Sequence, residues 1–369
     1  MKEIINNLIE ISRYFGKNKE YVIAGGGNTS AKTSKYLWIK ASGFALSDIS
    51  EEGFVCLSRE MLKVISEKKY SNNPVERENE VKNDLNAAVI SKGKRPSVET
   101  SMHDIINYTF VVHTHPTLVN ALMCSLNAKQ IAAELFGNEM LFIEYTDPGY
   151  VLFKKVETEL KSYKNKYNKH PHIVLLENHG IFVSANNTDD IKKIYSEIEN
   201  KIYKWLKTQL PKTEITEFEI DKSLFKKIEP YKNYEILSAK CDLIDEFVKD
   251  NNSFKEIETA FTPDHIVYCK SRYLFIEKPE INSINEKINN FKNKYGYAPK
   301  IIGIKNQGLI CIDENKKSTE TVLELIMNMM KIAFYARSFG GSKPMTNEQI
   351  AFIENWEVEN YRRSIAKKI

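Results

Sequence analysis

Phe110-Val-Val-His-Thr-His115 is an apolar run that ends in two histidines, with Pro116 directly after it. Such a run, rich in β-branched and aromatic side chains and followed by a helix-opening proline, predicts a buried strand over 110–115 and a helix from 116. Residues two apart on a strand share a face, so His113 and His115 point the same way and can grip one ion, while Thr114 faces the other way. A catalytic type of zinc site has three protein ligands and an open position, so one more ligand has to come from elsewhere in the chain. His179 is the candidate, in the tight turn Asn178-His-Gly180 behind the apolar segment His172-Ile-Val-Leu-Leu-Glu177. His170, His172 and His265 have no such context and read as ordinary histidines. His103 follows Glu99 by one helical turn and either lines the site or packs beside it.

Working outward, Ile4, Ile5, Leu8, Ile11 and Phe15 have helical spacing. The apolar Tyr21-Val-Ile-Ala24 then runs into Gly25-Gly-Gly-Asn-Thr-Ser30, read as a strand that ends in a glycine loop. A second strand, Tyr36-Leu-Trp-Ile-Lys40, precedes Ala41-Ser-Gly43. Helical patterns cover roughly 59–67 and 78–91, and a short helix opens at Ser97-Val-Glu-Thr100. After the histidine strand come a strand at Met140-Leu-Phe-Ile-Glu144, a helix over about 150–165, a hairpin over 172–185 and a long helix to about Leu210. Pro211 and the polar stretch to Glu219 form the best boundary, giving domains 1–212 and 220–369.

The second domain partly repeats the first. Tyr163-Lys-Asn-Lys-Tyr167 followed by Pro171-His-Ile-Val-Leu-Leu-Glu-Asn-His-Gly180 recurs without a gap as Phe291-Lys-Asn-Lys-Tyr295 and Pro299-Lys-Ile-Ile-Gly-Ile-Lys-Asn-Gln-Gly308. Gln307 stands where His179 stands, and the second copy has no HxH. It reads as a degenerate α/β repeat without a metal site.

The 369 residues are 42% hydrophobic and 28% charged, the composition of a folded globular protein. The net charge of +4 is a small difference between 53 basic and 49 acidic residues, which is no nucleic-acid footprint. No apolar run approaches the ~20 residues of a membrane span, and residues 1–20 carry no signal-peptide pattern, so no membrane partner and a cytoplasmic location are expected. The five cysteines are scattered and suit reduced core thiols.

In order and spacing, Gly-Gly-Asn-Thr-Ser (26–30), Ala-Ser-Gly (41–43), Pro-Ser-Val-Glu (96–99), Val-Val-His-Thr-His-Pro (111–116) and Asn-His-Gly (178–180) resemble the class II aldolase and adducin family. The resemblance covers residues 1 to about 210. It implies a three-layer α/β/α fold with a mostly antiparallel central sheet. It also implies Zn²⁺, or another divalent metal, on His113, His115 and His179, with Glu99 as the catalytic acid/base. The C-terminal part is similar to the later half of the aldolase region in fused rhamnulose-1-phosphate aldolase/alcohol dehydrogenase proteins. No GxGxxG opens a βαβ unit after residue 220, so a dinucleotide-binding portion is not expected within this chain.

The implied chemistry agrees with the residue types. Retro-aldol cleavage must stabilise an enediolate, which a divalent metal does as a Lewis acid while Glu99 shuttles the proton. Backbone N–H groups and small side chains of Asn28, Thr29, Ser42 and Gly43, with the Ser97 hydroxyl, form the candidate nest for a substrate phosphate. Val98 departs from the family pattern, which commonly has a second serine there. The leaving aldehyde oxygen needs its own acid, often supplied in the family by a neighbouring subunit. Tyr145, Glu134 and Glu139 lie in the right stretch, and a homo-oligomer is expected. The expected activity is cleavage of a ketose 1-phosphate, similar to rhamnulose or fuculose phosphate, to dihydroxyacetone phosphate and an aldehyde. The alternatives are an epimerase, decarboxylase or dehydratase on the same fold, or a non-catalytic adducin-like interaction module.

Overall fold

The computed structural model describes residues 2–91, 93–229, 231–278 and 280–356. They fall into two units, one comprising the chain to Met123 with Ala128–Lys204, the other Cys124–Asn127 with the chain from Trp205 onward.

The first unit opens with α1 (Lys2–Gly16), which buries Ile5, Leu8, Ile11 and Phe15, a stripe at helical spacing. There follow β1 (Asn28–Lys32), β2 (Tyr36–Lys40), β3 (Phe54–Ser58), α2 (Arg59–Glu67), α3 (Pro74–Ala87), α4 (Thr100–Ile105), β4 (Phe110–Thr114), α5 (Thr117–Met123), α6 (Ala128–Phe136), β5 (Met140–Ile143), α7 (Tyr150–Tyr167), β6 (Ile173–Leu176), β7 (Gly180–Ala185) and α8 (Thr188–Trp205). The seven strands form one sheet in the order β3-β2-β1-β4-β7-β6-β5. Every pair is antiparallel except β5 and β6. On one face Leu37, Val55, Val111 and Val174 pack with Leu62 and Ile65 of α2, Met102 of α4 and Phe153 and Val156 of α7. On the other face α1 and α8 meet, with the rings of Phe15 and Tyr195 4.4 Å apart and the Tyr195 hydroxyl 2.7 Å from Thr114 Oγ1. The result is a three-layer α/β/α arrangement around a mostly antiparallel sheet.

Local expectations change at several points, and β3 has no counterpart in the expected strands. Tyr21–Ala24 is not a strand: turns close it at Asn18 and Ile23, and Ala24 is left-handed with φ 52°. Its apolar side chains serve packing, as the buried Tyr21 and Val22 show, and the glycine loop leads into β1 rather than out of a strand. Helix α3 begins at Pro74, where Asn73 caps it by accepting from Val75 N–H and Glu76 N–H. Helix α6 has no counterpart in the pattern read above, because its buried face is only Ala128, Ile131, Ala132 and Phe136.

The second unit contains α9 (Lys222–Lys226), β8 (Glu235–Ala239), α10 (Asp242–Val248), α11 (Asn251–Lys255), α12 (Pro263–Cys269), β9 (Leu274–Ile276), α13 (Ile281–Tyr295), β10 (Ile301–Ile304), β11 (Gly308–Asp313), α14 (Lys316–Ala336) and α15 (Asn347–Asn355). Its sheet runs β8-β11-β10-β9, with β9 and β10 parallel and the other pairs antiparallel. The first unit has the same run of strands in β4-β7-β6-β5, with the same directions.

Candidate metal centre

The β6–β7 turn brings the third histidine to the first two. Asn178 is left-handed with φ 53°, a conformation asparagine tolerates better than most residues. Its N–H donates to Met123 O at 3.1 Å, while Asn120 Nδ2 donates to His179 O at 3.3 Å. Gly180 lets the turn lie directly on the end of β4: a Cβ there would sit 2.5 Å from Thr114 O and 2.6 Å from His115 Cδ2. The three residues of Asn-His-Gly thus supply the αL corner, the candidate ligand and the close approach.

His113 Nδ1 donates to Ile181 O at 2.9 Å, and its ring stacks on Phe182 with centroids 4.2 Å apart. That bond fixes the tautomer and turns Nε2 toward the cluster. The Nε2 atoms of His113 and His115 are 3.0 Å apart, and one ring nitrogen from each of His113, His115 and His179 lies within 4.8 Å of the others. Around a tetrahedral zinc with bonds of about 2.0–2.1 Å, ligand nitrogens are about 3.3 Å apart. Glu99 Oε1 is buried and accepts no hydrogen bond from the described residues, yet lies 3.3 Å from His113 Nε2 and 3.5 Å from His179 Nε2. Three imidazoles beside an oxygen that lacks a donor are a donor set suited to a divalent cation with borderline preferences.

Glu99 stands at the N-cap of α4. Its Oε2 accepts from Asn28 Nδ2 at 2.5 Å. Register pairs Asn28 with His113 and Ser30 with Val111, so Asn28 and Ser30 share the His113 face of the sheet. His103, fully buried, contacts Asn28 Oδ1 through Nε2 and Ser30 Oγ through Nδ1, the latter at 2.7 Å. Burial, then the neighbouring His113 and Lys32, hold the His103 imidazole well below its ordinary pKa, so it is neutral. Lys32, further along β1, donates to His103 O. Burial brings that ammonium down to about 7, with Asp104 opposing the shift and Arg59 adding to it.

The five residues of the expected phosphate nest are not arranged as one set of donors. Asn28 and Ser97 sit together, Asn28 Nδ2 being 3.3 Å from Ser97 Oγ, and the same oxygen accepts from Glu99 N–H. Ser42 adjoins them, with its N–H on Arg95 O and its hydroxyl on Pro96 O. Gly43 follows with φ 92° in an exposed loop. The Thr29 hydroxyl lies on the opposite face, 2.6 Å from Ser12 of α1. Lys40 Nζ donates to Phe44 O at 2.8 Å and reaches Gly25 O at 3.5 Å, tying the two small-residue loops together.

Of the three candidates for a second acid, Glu134 and Glu139 are exposed and engaged locally, with Gln130 and Lys201 respectively. The Tyr145 hydroxyl is buried, and burial followed by the Asp147 carboxylate pushes its phenol up. Phe182, Asn120 and the Ser30 link to His103 leave no mark of their own in the sequence. Only the Glu99-x-x-x-His103 spacing carried a signal for them.

The model of the Class II Aldolase and Adducin N-terminal domain matches residues 6–205, more than half of the chain. The chain belongs to this family. It is similar to the "Uncharacterized oxidoreductase YuxG" of Bacillus subtilis (strain 168), 22% identical over 416 residues and 98% of this chain, and it spans 58% of that protein's length. Among solved structures it is similar to the N-terminal class II aldolase domain of a conserved protein from Thermoplasma acidophilum. There the identity is 24%, the coverage 55% of this chain and 92% of that one, and the TM-score 0.47. It is also similar to L-fuculose-1-phosphate aldolase from Thermus thermophilus, at 15% identity, 55% and 94% coverage and a TM-score of 0.37. Among the described residues, no helix is long and apolar enough to cross a membrane.

Proposed function

We propose that this protein is a zinc-dependent lyase that cleaves a ketose 1-phosphate, of the rhamnulose- or fuculose-phosphate type, to dihydroxyacetone phosphate and an aldehyde. The observation that carries this reading is the convergence of His113, His115 and His179 on one point beside the buried, donorless Glu99 Oε1. Membership of the aldolase family supports it.

His113, His115 and His179 would hold the metal, which when bound supplies Lewis-acid polarisation to a substrate carbonyl and the hydroxyl beside it. Glu99 Oε1 holds the proton that passes to the carbon released when the carbon–carbon bond breaks. Oε2 is engaged by Asn28, so the carboxylate keeps one oxygen for structure and one for chemistry. The Ser97 hydroxyl accepts from Asn28 and Glu99, which leaves its own proton to donate to a substrate phosphate. Val98 beside it offers none, so a single hydroxyl serves where two serines are common. The hydroxyl that becomes the aldehyde must lose its proton as the carbon–carbon bond breaks; in this reading the group that takes it, and returns it in the reverse condensation, comes from a neighbouring subunit, and the enzyme is a homo-oligomer.

Metal analysis followed by assay against ketose 1-phosphates and their unphosphorylated forms tests the proposal. Two carbonyl fragments identify an aldolase. An isomeric sugar would make it an epimerase, carbon dioxide or water loss a decarboxylase or dehydratase, and a metal-free inert protein an adducin-like interaction module.

A further inference from the structure

Four buried polar residues link into one chain behind the histidine cluster. Glu99 Oε2 is an acceptor whether or not Oε1 carries the proton, so the amide of Asn28 must turn Nδ2 toward it and Oδ1 away. Oδ1 in turn only accepts, so His103 Nε2 must carry the proton that meets it. A neutral imidazole with Nε2–H has an acceptor at Nδ1, so the Ser30 hydroxyl donates there. Each assignment follows from the one before, and all three donors point toward Glu99. Such a run polarises its members cooperatively.

The backbone explains why these four meet. Asn28 and Ser30 are two apart on β1, a rise of about 6.8 Å, and Glu99 and His103 are four apart at the start of α4, a rise of about 6 Å. The strand step and the helix turn match, so the two pairs form a closed ring of two covalent and two hydrogen-bonded sides. Ser30 and His103 are fully buried, while Asn28 and Glu99 are 6% and 9% exposed. Lys32 adds a tie to the backbone of α4 at His103 O.

We propose that Ser30 and His103 are positioning residues. They lock the Asn28 amide in one orientation, which commits Glu99 Oε2 and presents Oε1 to the histidine cluster. This rests on the lyase reading for its catalytic consequence, though not for its structural one. The competing account is that His103 is a satisfied core histidine whose only role is packing beside Phe182, 5.2 Å between ring centroids.

The test uses the full chain and three variants. His103→Leu removes the donor, Ser30→Ala removes the first link, and His103→Gln restores an amide N–H close to the place of Nε2. In the metal-free protein labelled with [¹⁵N]asparagine, the Asn28 side-chain NH₂ pair is assigned by its loss in Asn28→Ser. Hydrogen exchange of that pair is expected to quicken at least ~10-fold in His103→Leu, by less in Ser30→Ala, and to recover in His103→Gln, as for a buried hydrogen bond that is opened and restored. Metal content should stay at the wild-type level in all three. Turnover should fall by roughly 10–100-fold in His103→Leu with KM within about twofold, and return in His103→Gln, as for outer residues that orient catalytic groups. Unchanged Asn28 exchange in a folded His103→Leu overturns the proposal, as does a Gln variant as defective as Leu in both measurements. If no sugar phosphate is turned over by the wild type, the lyase reading fails, and the exchange measurement alone still decides the positioning.

Discussion

At His179 the side chain offers a ring nitrogen to the cluster, and the residue's own backbone is held by Asn120 and Leu176. His179→Ala therefore removes a ligand without removing the turn. The variant should retain its far-ultraviolet circular dichroism and lose most bound metal by plasma emission analysis; full occupancy would end the ligand assignment. Glu99→Gln should keep the metal and lose turnover by roughly two to four orders of magnitude, the usual share of a general acid/base. Lys32 gives a pH dependence. Its folded pKa lies at about 7, against 10.5 in an exposed lysine, so between these values the unfolded chain binds a proton that the folded one does not. Stability must then rise with pH across that window, with the full burial cost present below pH 7. Wild-type Tm should increase from pH 6.5 to 9 relative to Lys32→Met, and a constant difference between the two would contradict this. Histidines and a carboxylate announce themselves by type and spacing, which is why this part of the site was legible in the sequence. The difference between Asn28 and Thr29 was not legible, because adjacent strand residues face opposite sides and the phase depends on where the strand begins. The strand begins at Asn28, behind the glycine loop and not at the apolar 21–24, and the apolar pattern carries no mark of that start.

At the scale of elements, the Asn-X-Gly hairpin occurs twice with the same backbone bonds. Glu177, Asn178 and His179 donate to Ile143, Met123 and Leu176, as Lys305, Asn306 and Gln307 donate to Ile276, Val248 and Ile304. Asn178 and Asn306 have φ 53° and 57°. The hairpins and the long helices after them were legible because apolar strands, an asparagine corner and a 3.6-residue stripe each leave a local pattern. Helix α6 and the start of α3 were not, since a narrow alanine-rich face and an Asn-Pro cap carry little hydrophobic signal. Gly180 and Gly308 make the same close approach in the two turns. A Cβ on Gly308 would lie 2.5 Å from Ala239 O and 2.7 Å from the Phe218 ring. Gly180→Ala and Gly308→Ala should each destabilise by ~1–3 kcal/mol, the range for an overpacked contact. Only Gly180→Ala should also weaken metal binding, because it alone drives against a candidate ligand. Chemical denaturation with metal titration of both variants checks this, and equal metal loss in the two would refute it.

For the molecule as a whole, we propose that the second unit is a decayed copy that supports structure and not catalysis. The sheet orders support this, with one refinement: the four-stranded sheet repeats the β4-to-β5 part of the first sheet, and among the described residues no full strand stands in the places of β1–β3. Aligning Gly308 with Gly180, the strand pairings set Ser238 at the position of His113, and hence Lys240 at that of His115 and Gln307 at that of His179. A serine, an ammonium group and an amide form a poor set of zinc donors. The Ser238 hydroxyl donates to Phe218 O at 2.9 Å, and Thr216 bridges Lys240, so a segment of the second unit lies beside β8 as β1 lies beside β4. With Phe218 against Gly308, that end of the sheet is packed by the chain itself. The intact protein should accordingly bind one divalent ion per chain. Gln307→Ala should leave both the stoichiometry and turnover unchanged. Hydrogen exchange measured with and without metal should change around β4, α4 and the 178–180 turn, and not at 305–308. Two ions per chain, or metal-dependent protection at 305–308 that Gln307→Ala abolishes, would mean that the second unit has kept a site of its own.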